Sequence, residues 1–349
     1  MKIGVLTGGG DCPGLNAVIR AVVLTAHQLH GDEVVGFEDG WRGVIEGRAR
    51  PLSPADVRGI QATGGTILGT SRTNPLADEH DVDRVLSTLS RLGMDGVVVI
   101  GGDDTLGVAR GLAAHGVGTV GVPKTIDNDL SGTEVTFGFD TAVQIATEAI
   151  DRLQTTAESH HRVIVCEVMG RHAGWIATYA GIAGGAAEIL VPEIPFDLGE
   201  VCGHLVERHE RGQYSSVVVA AEGALPAPGP EAEAALQVAS IRGTDAFGHV
   251  QLGGIGAWLA TQIEERTGYE SRVTALGHIQ RGGTPTAYDR VLASRFGVAA
   301  VDAMHAGKTG MMVALQAGEI VQVPLEEAVG HSKTVDRSLL THVARPLFA

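Results

Sequence analysis

Residues 96–105 are Gly-Val-Val-Val-Ile-Gly-Gly-Asp-Asp-Thr, and residues 119–129 are Thr-Val-Gly-Val-Pro-Lys-Thr-Ile-Asp-Asn-Asp. Each stretch begins with a short apolar run, typical of a buried strand, and continues into polar residues. In open α/β sheets, ligands bind just beyond the carboxyl ends of the strands. The two stretches therefore predict a site with four carboxylates, one lysine and several backbone N–H groups, which suits magnesium and phosphate.

Strand-like runs alternate with helical patterns along most of the chain. Other strand-like runs lie at 2–7, 33–37, 162–168 and 216–221. Helical patterns include 141–155 and 255–266. This alternation predicts an α/β fold with mainly parallel sheets and helices on both faces. We also expect Asn16 to cap the first long helix, and a second lobe to begin at the glycine-rich stretch 170–185.

Length and composition are those of a soluble protein of about two domains. The 349 residues are 44% hydrophobic and 19% charged, and no apolar run approaches the ~20 residues of a membrane helix. The amino terminus lacks the pattern of a secretory signal, and the three cysteines have neither zinc spacing nor the even count of a disulfide scaffold. We therefore expect a cytoplasmic protein with no membrane partner.

The net charge of −15 argues against a nucleic-acid surface, because phosphate backbones require a basic face. If so acidic a chain binds anionic metabolites, its basic residues have to be gathered into a pocket. The candidates, most of them in or beside glycine-rich turns, are Arg72, Lys124, Arg162, Arg171, Arg272, His278 and Arg281.

Two glycine-rich segments invite a phosphate-loop interpretation. Gly8-Gly9-Gly10 precedes a predicted helix N-terminus, where backbone N–H groups can bind phosphate. It lacks a dinucleotide fingerprint because Pro13 occupies the place of the last glycine, so a plain strand–helix turn is the alternative. Residues 307–309 are Gly-Lys-Thr, but Asp302 stands where a P-loop requires its first glycine, and we reject that motif.

The acidic residues also have two interpretations. Asp103 and Asp104 can cap the following helix or bind a cation. Asp127 and Asp129 alternate across Asn128, so in an extended turn both side chains would point the same way. Because neighbouring carboxylates repel each other unless a cation lies between them, we favour magnesium, which takes one or two carboxylates together with phosphate oxygens and water.

Seven ordered motifs make the chain resemble the phosphofructokinases over nearly its whole length. They are the two stretches 101–105 and 123–129 together with Gly9-Gly10-Asp11-Cys12-Pro13-Gly14-Leu15-Asn16, Gly64-Gly65-Thr66-Ile67-Leu68-Gly69-Thr70-Ser71-Arg72, Glu167-Val168-Met169-Gly170-Arg171, Glu222-Gly223 and Leu276-Gly277-His278-Ile279-Gln280-Arg281-Gly282-Gly283. Within that family it resembles the pyrophosphate-dependent enzymes and is close to the actinobacterial-type group. The resemblance implies Mg²⁺-dependent phosphoryl transfer to the 1-hydroxyl of fructose 6-phosphate.

The resemblance also implies two Rossmann-like, three-layer α/β lobes with the active site in the cleft between them. The first lobe, 1–138 plus 285–305, would bind the phosphoryl donor and Mg²⁺. The second lobe, 139–284 plus 306–349, would bind fructose 6-phosphate.

Residue roles follow from the same resemblance. Asp127 would be the general base that accepts the proton of the attacking hydroxyl. Thr125, Lys124 and Arg171 would stabilise the moving phosphoryl group. The implied metal ligands are Asp103 and Asp129. The implied donor-binding residues are Gly10, Arg72, Asp104, Thr105 and Lys124. The implied substrate-binding residues are Thr125, Asp127, Asp129, Arg162, Met169, Gly170, Arg171, Glu222, Arg272, His278 and Arg281. Without the motifs around them, Met169 would be interpreted as a core residue and each arginine as a solvent-exposed residue.

Two of the implied substrate ligands would come from a neighbouring subunit. They are Arg162 and Arg272, which would bind the 6-phosphate together with His278. A site built in this way requires a homodimer or a homotetramer.

The predicted donor depends on Asp104. In the ATP-using bacterial relatives this position is glycine, and the position of Lys124 is usually glycine too; aspartate and lysine there are associated with pyrophosphate. A carboxylate adds bulk and a like charge facing the nucleotide α-phosphate, whereas pyrophosphate has no α-phosphate to meet it. Because some ATP-using relatives also have lysine there, Asp104 and not Lys124 discriminates, and ATP remains the alternative donor. Transfer from pyrophosphate would be readily reversible.

Two other protein classes fit the sequence less well. A non-catalytic phosphosugar-binding protein would have no use for a general base beside magnesium ligands, and a nicotinamide oxidoreductase would need the missing fingerprint. Residues 225–250 form a Pro-rich and Ala/Glu-rich insertion to which the sequence assigns no role.

Regulation by anionic effectors is not expected. The basic cluster that binds a nucleotide or phosphoenolpyruvate in the bacterial ATP enzymes keeps only Arg20 here. Its other positions are Leu24, Pro54, Gln154 and Ala187, which cannot supply the positive charge.

Overall fold

The computed structural model describes residues 1–239 and 253–348, so part of the 225–250 insertion lies outside the described residues. The strands are β1 (Lys2–Thr7), β2 (Glu33–Phe37), β3 (Ala49–Leu52), β4 (Gly96–Gly101), β5 (Thr119–Pro123), β6 (Val163–Val168), β7 (Glu188–Leu190), β8 (Ser216–Ala221), β9 (Ser271–Ala275), β10 (Met311–Gln316) and β11 (Glu319–Pro324). The α-helices are α1 (Leu15–Thr25), α2 (Trp41–Glu46), α3 (Glu79–Leu92), α4 (Asp103–Ala113), α5 (Phe139–His160), α6 (Trp175–Ala183), α7 (Leu198–Glu210), α8 (Pro230–Ala239), α9 (Ile255–Thr267), α10 (Ala287–His305), α11 (Leu325–Ala328) and α12 (Arg345–Phe348).

The chain forms two compact units. Unit 1 comprises Met1–Ile126, Leu130–Thr141 and Arg281–Ser332. Unit 2 comprises Asp127–Asp129, Ala142–Gln280 and Lys333–Ala349. This corrects the predicted boundaries, which assigned all of 306–349 to the second lobe. The reason is strand pairing: β10 pairs in parallel with β5, and β11 pairs antiparallel with β10, so the segment completes the sheet of unit 1.

Unit 1 is built on a seven-stranded sheet in the order β11-β10-β5-β4-β1-β2-β3. Only the edge pairs β10–β11 and β2–β3 are antiparallel. Along β4, Val97 and Val99 pack with Leu106 and Leu112 of α4 in one core cluster. Every residue of β4 is buried, which requires cover on both faces of the sheet. Helix α10 also packs against β4, β5 and β10. The predicted α/β fold with mainly parallel sheets is confirmed.

The strand order places the predicted donor residues at a crevice. The chain passes from β1 to β2 on one side of β1 and later returns to β4 on its other side. The order of the sheet therefore reverses between β1 and β4, and the loops that leave their carboxyl ends flank the usual ligand position of such sheets. The loop after β1 contains Gly8–Gly10, and the short connection after β4 leads directly into the first turn of α4, which contains Asp103 and Asp104.

Unit 2 contains a four-stranded, fully parallel sheet in the order β7-β8-β6-β9. Its central strands β6 and β8 are buried throughout. Leu205 of α7 and Leu259 of α9 share a core cluster with Val165 and Val218 of the sheet, and α6 packs against β7 and β8. Strand β9 forms an edge, where Arg272 and Val273 are exposed.

Among residues 1–239 and 253–348, no helix combines the length and the hydropathy needed to cross a bilayer.

The three cysteines are free and buried. Burial raises the pKa of both Cys12 and Cys166 to about 12. Thiolate chemistry therefore has no place at these two positions.

The expected capping role of Asn16 is wrong. Helix α1 begins at Leu15, and its N-cap is Gly14, which has a left-handed backbone and makes no side-chain capping bond. Asn16 lies inside the helix, where its amide donates to Thr63 O at 3.0 Å and accepts from Ile67 N at 2.9 Å. The amide is thus used by a loop that is distant in sequence, a contact that helix-start patterns do not reveal.

A buried carboxylate anchors the start of α10. Asp289 is 0% exposed and accepts hydrogen bonds from Gly138 N at 2.9 Å, from Thr141 N at 2.8 Å and from the Thr141 hydroxyl. Burial raises the pKa of Asp289 from 3.8 to about 6, although the hydrogen bonds from Thr141 and Gly138 act in the opposite direction.

The raised pKa of Asp289 predicts a pH-dependent stability. Between 3.8 and about 6 the native state retains a proton that the unfolded chain has released, so this group's contribution to stability falls as pH rises. Relative to Asp289→Asn, the unmodified protein should lose about 2–3 kcal/mol of unfolding free energy from pH ~4 to pH ~7. Urea denaturation at several pH values would measure this, and a difference that does not change with pH would contradict it.

Candidate active site

The glycine loop after β1 is the centre of the candidate site in unit 1. Gly8 N donates to Ile100 O at 2.9 Å, and Gly9 N donates to Ser71 O at 3.1 Å. The loop is therefore attached both to the end of β4 and to the segment that leads into Arg72. The Arg72 side chain is exposed.

Lys124 follows β5 and reaches the same loop. Its side chain is only 4% exposed, and Nζ donates to Gly10 O. The backbone N–H of Lys124 donates to Gly101 O at 2.9 Å. A buried ammonium group is tolerated only among oxygen acceptors, so Lys124 supplies a fixed positive charge where the ends of β1, β4 and β5 meet.

Thr105 and Arg281 complete this cluster. A Cβ atom at Gly8 or at Gly101 would lie within 2.6 Å of Thr105 side-chain atoms, so the loop approaches that threonine as closely as glycine allows. Arg281, predicted to contact the sugar, donates from Nη1 to Asp11 O at 3.4 Å. The structure thus brings Gly10, Thr105, Lys124 and Arg281 together around one loop, an arrangement that suits an anionic phosphate ligand.

Asp103 and Asp104 occupy the first turn of α4 and do not cap it. The N-cap is Gly102, which makes no side-chain capping bond. Asp103 is exposed, and its carboxylate accepts from Gly330 N at 2.7 Å. Neither aspartate therefore occupies the N-cap position.

The carboxylate of Asp103 is a suitable ligand for magnesium. Within the described ranges there is no group of three or more His, Cys, Asp or Glu side chains that could hold a metal ion. Magnesium does not need such a group, because it binds through one or two carboxylates and completes its shell with water and phosphate oxygens. An exposed carboxylate at the crevice of the sheet meets that requirement.

The segment Asp127–Asp129 is not extended. Asn128 has φ 51°, a left-handed conformation that is uncommon for residues other than glycine. The expectation that both aspartates point the same way rested on an extended turn and does not apply. Just before this segment, Thr125 O accepts from the Thr136 hydroxyl at 2.7 Å. Asp127 and Asp129 are both partly buried.

In unit 2, residues that follow β6, β8 and β9 come together at the carboxyl edge of the sheet. Glu222 N donates to Val168 O at 2.8 Å, and Gly223 N donates to Gly170 O at 3.1 Å. The turn Glu222–Gly223 thus lies against the segment Met169–Arg171. Arg171 Nε is buried and has no hydrogen-bond partner among the described residues, which leaves this donor for a ligand oxygen.

Gln280 connects the segment that follows β9 to the residues that follow β6. The sequence alone assigned it no role. It is 0% exposed, its Oε1 accepts from Met169 N at 3.3 Å, and its Nε2 donates to Gly277 O at 3.0 Å. It therefore ties the turn that carries the exposed His278 to Met169. The only sequence signal was its position inside the motif 276–283.

Arg162 and Arg272 do not lie at the carboxyl edge of the unit 2 sheet. Arg162 precedes β6 and Arg272 is the second residue of β9, whereas Met169 and His278 follow the same two strands. Since β6 has six residues, its two ends are about 20 Å apart. Within unit 2, the two arginines thus occupy the opposite end of the sheet.

Glu270 holds these two arginines together. Its carboxylate pairs with Arg162 at 2.8 Å and also with Arg272. The hydrogen bond from Arg162 lowers the pKa of Glu270. Glu270 was not singled out from the sequence, because only the strand pairing of β6 with β9 places it between the two arginines.

These sheets, loops and charges define an α/β protein of two units, with a glycine loop beside a buried lysine in unit 1 and a group of polar side chains at the sheet edge in unit 2. A family model described as phosphofructokinase matches residues 2–304. The chain belongs to the phosphofructokinase family, which confirms the resemblance seen in its motifs.

The names of individual relatives specify different phosphoryl donors. The chain is 60% identical to "Pyrophosphate--fructose 6-phosphate 1-phosphotransferase" of Amycolatopsis methanolica, over 96% of both chains. It is 53% identical to "ATP-dependent 6-phosphofructokinase 3" of Streptomyces coelicolor, again over 96% of both. A solved phosphofructokinase structure from Saccharomyces cerevisiae is 31% identical with a TM-score of 0.79, and the match covers 99% of this chain and 47% of that one.

Gly223 offers a test of the geometry in unit 2. A Cβ atom at this position would lie 2.1 Å from Arg171 O, so Gly223→Ala has to displace the backbone of Arg171. We expect turnover to fall at least ~10-fold, because small displacements of charged groups in a site are costly. Steady-state kinetics would measure this.

Gly203→Ala is the matched control, since a Cβ atom there meets nothing within 4 Å. It should leave turnover unchanged and stabilise the fold by about 0.4–1 kcal/mol, because it lowers the entropy of the unfolded chain. Equal activity of the two variants would refute the proposed closeness of Gly223 to Arg171.

Proposed function

We propose that this chain transfers a phosphoryl group from inorganic diphosphate to the 1-hydroxyl of fructose 6-phosphate, giving fructose 1,6-bisphosphate in a reversible step. Membership of the phosphofructokinase family and the 60% identity to a pyrophosphate-named relative support the reaction class. The observation that carries the proposal is the buried Lys124 ammonium on Gly10 O, at a crevice whose neighbouring helix begins with Asp103 and Asp104.

Residues of unit 1 explain how the phosphoryl donor binds and why diphosphate is preferred to ATP. Lys124 and the glycine loop bind one phosphate of the donor, with Arg72 and Thr105 beside them. Asp104 adds a carboxylate in the first turn of α4, where a nucleotide would need room for its α-phosphate. Diphosphate lacks that group and the adenosine, so it meets no such penalty.

Transfer then depends on a base and on charge stabilisation. Asp127 accepts the proton of the 1-hydroxyl, which requires it to lie within hydrogen-bond reach of that oxygen. Thr125, Lys124 and Arg171 stabilise the negative charge on the transferred group. Met169, Gly170, Glu222, His278 and Arg281 bind the sugar phosphate.

Magnesium belongs to the same proposal. Enzymes of this family generally use Mg²⁺. Asp103 and Asp129 are the residues that would hold it, and the bound ion would neutralise charge on the diphosphate.

The proposal includes a neighbouring copy of the chain. Arg162 and Arg272 lie at the end of the β6–β9 pair that is opposite to Met169 and His278. If the two arginines bind the 6-phosphate, they do so in the site of another subunit, so a homodimer or homotetramer is needed. A cytoplasmic location stays a prediction from the sequence.

ATP is the second candidate donor, because a relative of 53% identity is named as ATP-dependent. Formation of fructose 1,6-bisphosphate, measured once with diphosphate and once with ATP, separates the two. Diphosphate should support at least ~100-fold higher kcat/KM, equivalent to about 2.7 kcal/mol of discrimination. A higher kcat/KM with ATP would overturn the choice of donor.

Asp104 should set this preference. We expect Asp104→Gly to weaken the use of diphosphate modestly and to raise kcat/KM for ATP at least ~10-fold, because bulk and a like charge are removed. Asp83→Gly, which removes an exposed aspartate from α3, is the control and should change neither donor. An unaltered ratio in Asp104→Gly would show that this carboxylate does not select the donor.

Mixed oligomers test the shared arginines. Asp127→Ser should lower turnover by a factor of ~100 to ~10,000 while substrates still bind, and a chain with Arg162→Ala and Arg272→Ala should lose fructose 6-phosphate binding. In a dimer formed from both variants, one site has an intact Asp127 and receives both arginines from its partner. About a quarter of all sites should then be active after random exchange.

Subunit exchange has to be verified independently, for example by mass spectrometry of differently tagged chains. Exchanged oligomers without any recovery of activity would mean that Arg162 and Arg272 do not serve a neighbouring site.

A further inference from the structure

We infer that Lys333 is a positioning residue for the reaction: it holds Asn128 in its left-handed conformation and thereby fixes the direction of Asp127. The inference rests on the proposed function, in which Asp127 is the general base. It adds a residue from the carboxyl-terminal segment of the chain, which contains none of the seven sequence motifs.

Lys333 contacts the Asp127–Asp129 segment in two ways. Its backbone N–H donates to Asp129 O at 2.8 Å. Its ammonium group donates to Asn128 Oδ1 at 3.0 Å. Asn128 is only 2% exposed, so its amide oxygen needs a partner within the protein. Lys333 therefore fixes both the backbone carbonyl of Asp129 and the side chain of Asn128.

The backbone of Asn128 explains why such a clamp is needed. With φ 51°, this residue occupies a region that costs energy for any side-chain-bearing residue and persists only when its surroundings over-determine it. Hydrogen bonds from a charged donor are stronger than neutral ones. The bond from Lys333 thus favours a conformation that would otherwise relax, and relaxation at Asn128 would turn the adjoining Asp127.

Lys333 is itself held in place. Trp175 Nε1 donates to Lys333 O at 2.8 Å, and the ammonium group lies 5.3 Å from the centroid of the Trp175 ring, within cation–π range. Two residues later, Val335 N donates to the Glu193 carboxylate at 2.9 Å. The same carboxylate accepts from Gly174 N at 3.0 Å.

These contacts form one continuous path. Gly174 and Trp175 follow Arg171 by three and four residues, at the start of α6. Glu193 and Trp175 hold the segment Lys333–Val335, and Lys333 holds Asn128. The path therefore extends from the turn that carries Arg171 to the residue beside Asp127, entirely within unit 2.

The role predicts a particular kinetic signature. A misplaced base slows proton transfer in the transition state, while substrate binding by other residues is unchanged. Lys333→Met keeps the length of the stem and removes the charge and the donor. We expect kcat to fall about 10- to 100-fold, with KM for fructose 6-phosphate and for diphosphate changed less than about threefold.

Two comparison variants sharpen this test. Lys333→Arg keeps a charged donor and should recover most of the lost kcat. Lys308→Met removes an exposed lysine from unit 1 and should leave both constants unchanged. Binding of fructose 6-phosphate and far-UV circular dichroism measure the folded fraction of each variant. A loss of kcat that merely follows a loss of folded protein would make Lys333 structural and overturn the inference.

A double-mutant cycle tests whether Lys333 acts through Asn128. Asn128→Gly removes the amide but leaves positive φ accessible, because glycine adopts it without a steric cost. In that background Lys333→Met should lower kcat less than about threefold, since the contact is already absent. If the two effects simply multiply, Lys333 does not act through Asn128.

The activity of the unmodified chain distinguishes a failure of the proposed function from a failure of the inference about Lys333. If it forms no fructose 1,6-bisphosphate with diphosphate or with ATP, the proposed function is wrong and this inference falls with it. If it is active and Lys333→Met retains its kcat, the inference alone is wrong.

Discussion

The buried ammonium group of Lys124 is the constraint around which the crevice of the unit 1 sheet is organised. Its hydrogen bond to Gly10 O fixes the glycine loop, and its backbone N–H is bonded to the end of β4. A charge removed from water has to be surrounded by oxygen acceptors. The loop turns its carbonyl towards Lys124 through Gly9, whose φ of 78° is readily available only to glycine. The parallel pairing of β1, β4 and β5 brings these groups to one edge.

Much of this organisation could be predicted from the sequence, because it is local. Apolar runs identified β1, β4, β5, β6 and β8, and the polar residues after them were recognised as a site. What the sequence did not reveal depends on pairing between distant segments. Strands β10 and β11 were assigned to the wrong lobe because only their pairing with β5 places them in unit 1. Asn16 and Gln280 were misassigned or missed because their buried amides bond to remote backbone groups.

The two ends of the sheet in unit 2 carry different chemistry. Met169, Arg171 and Glu222 follow the carboxyl ends of parallel strands, where ligands usually bind. Arg162 and Arg272 lie at the amino ends, and Glu270 between them reduces their mutual repulsion. Sequence motifs contain both groups without distinguishing them. Strand direction makes the distinction, and it is compatible with the proposed role of the two arginines in a second copy of the chain.

The geometry of the Asp127–Asp129 segment shows where sequence patterns reach their limit. Alternation across Asn128 suggested two parallel carboxylates, but alternation fixes side-chain direction only in extended backbone. At φ 51° the rule fails, and tertiary contacts decide the direction instead. The contact that does so comes from Lys333, more than two hundred residues away in the chain. A strained residue beside the proposed base, stabilised by a distant cation, fits the general observation that backbone strain concentrates where a side chain must be held for function.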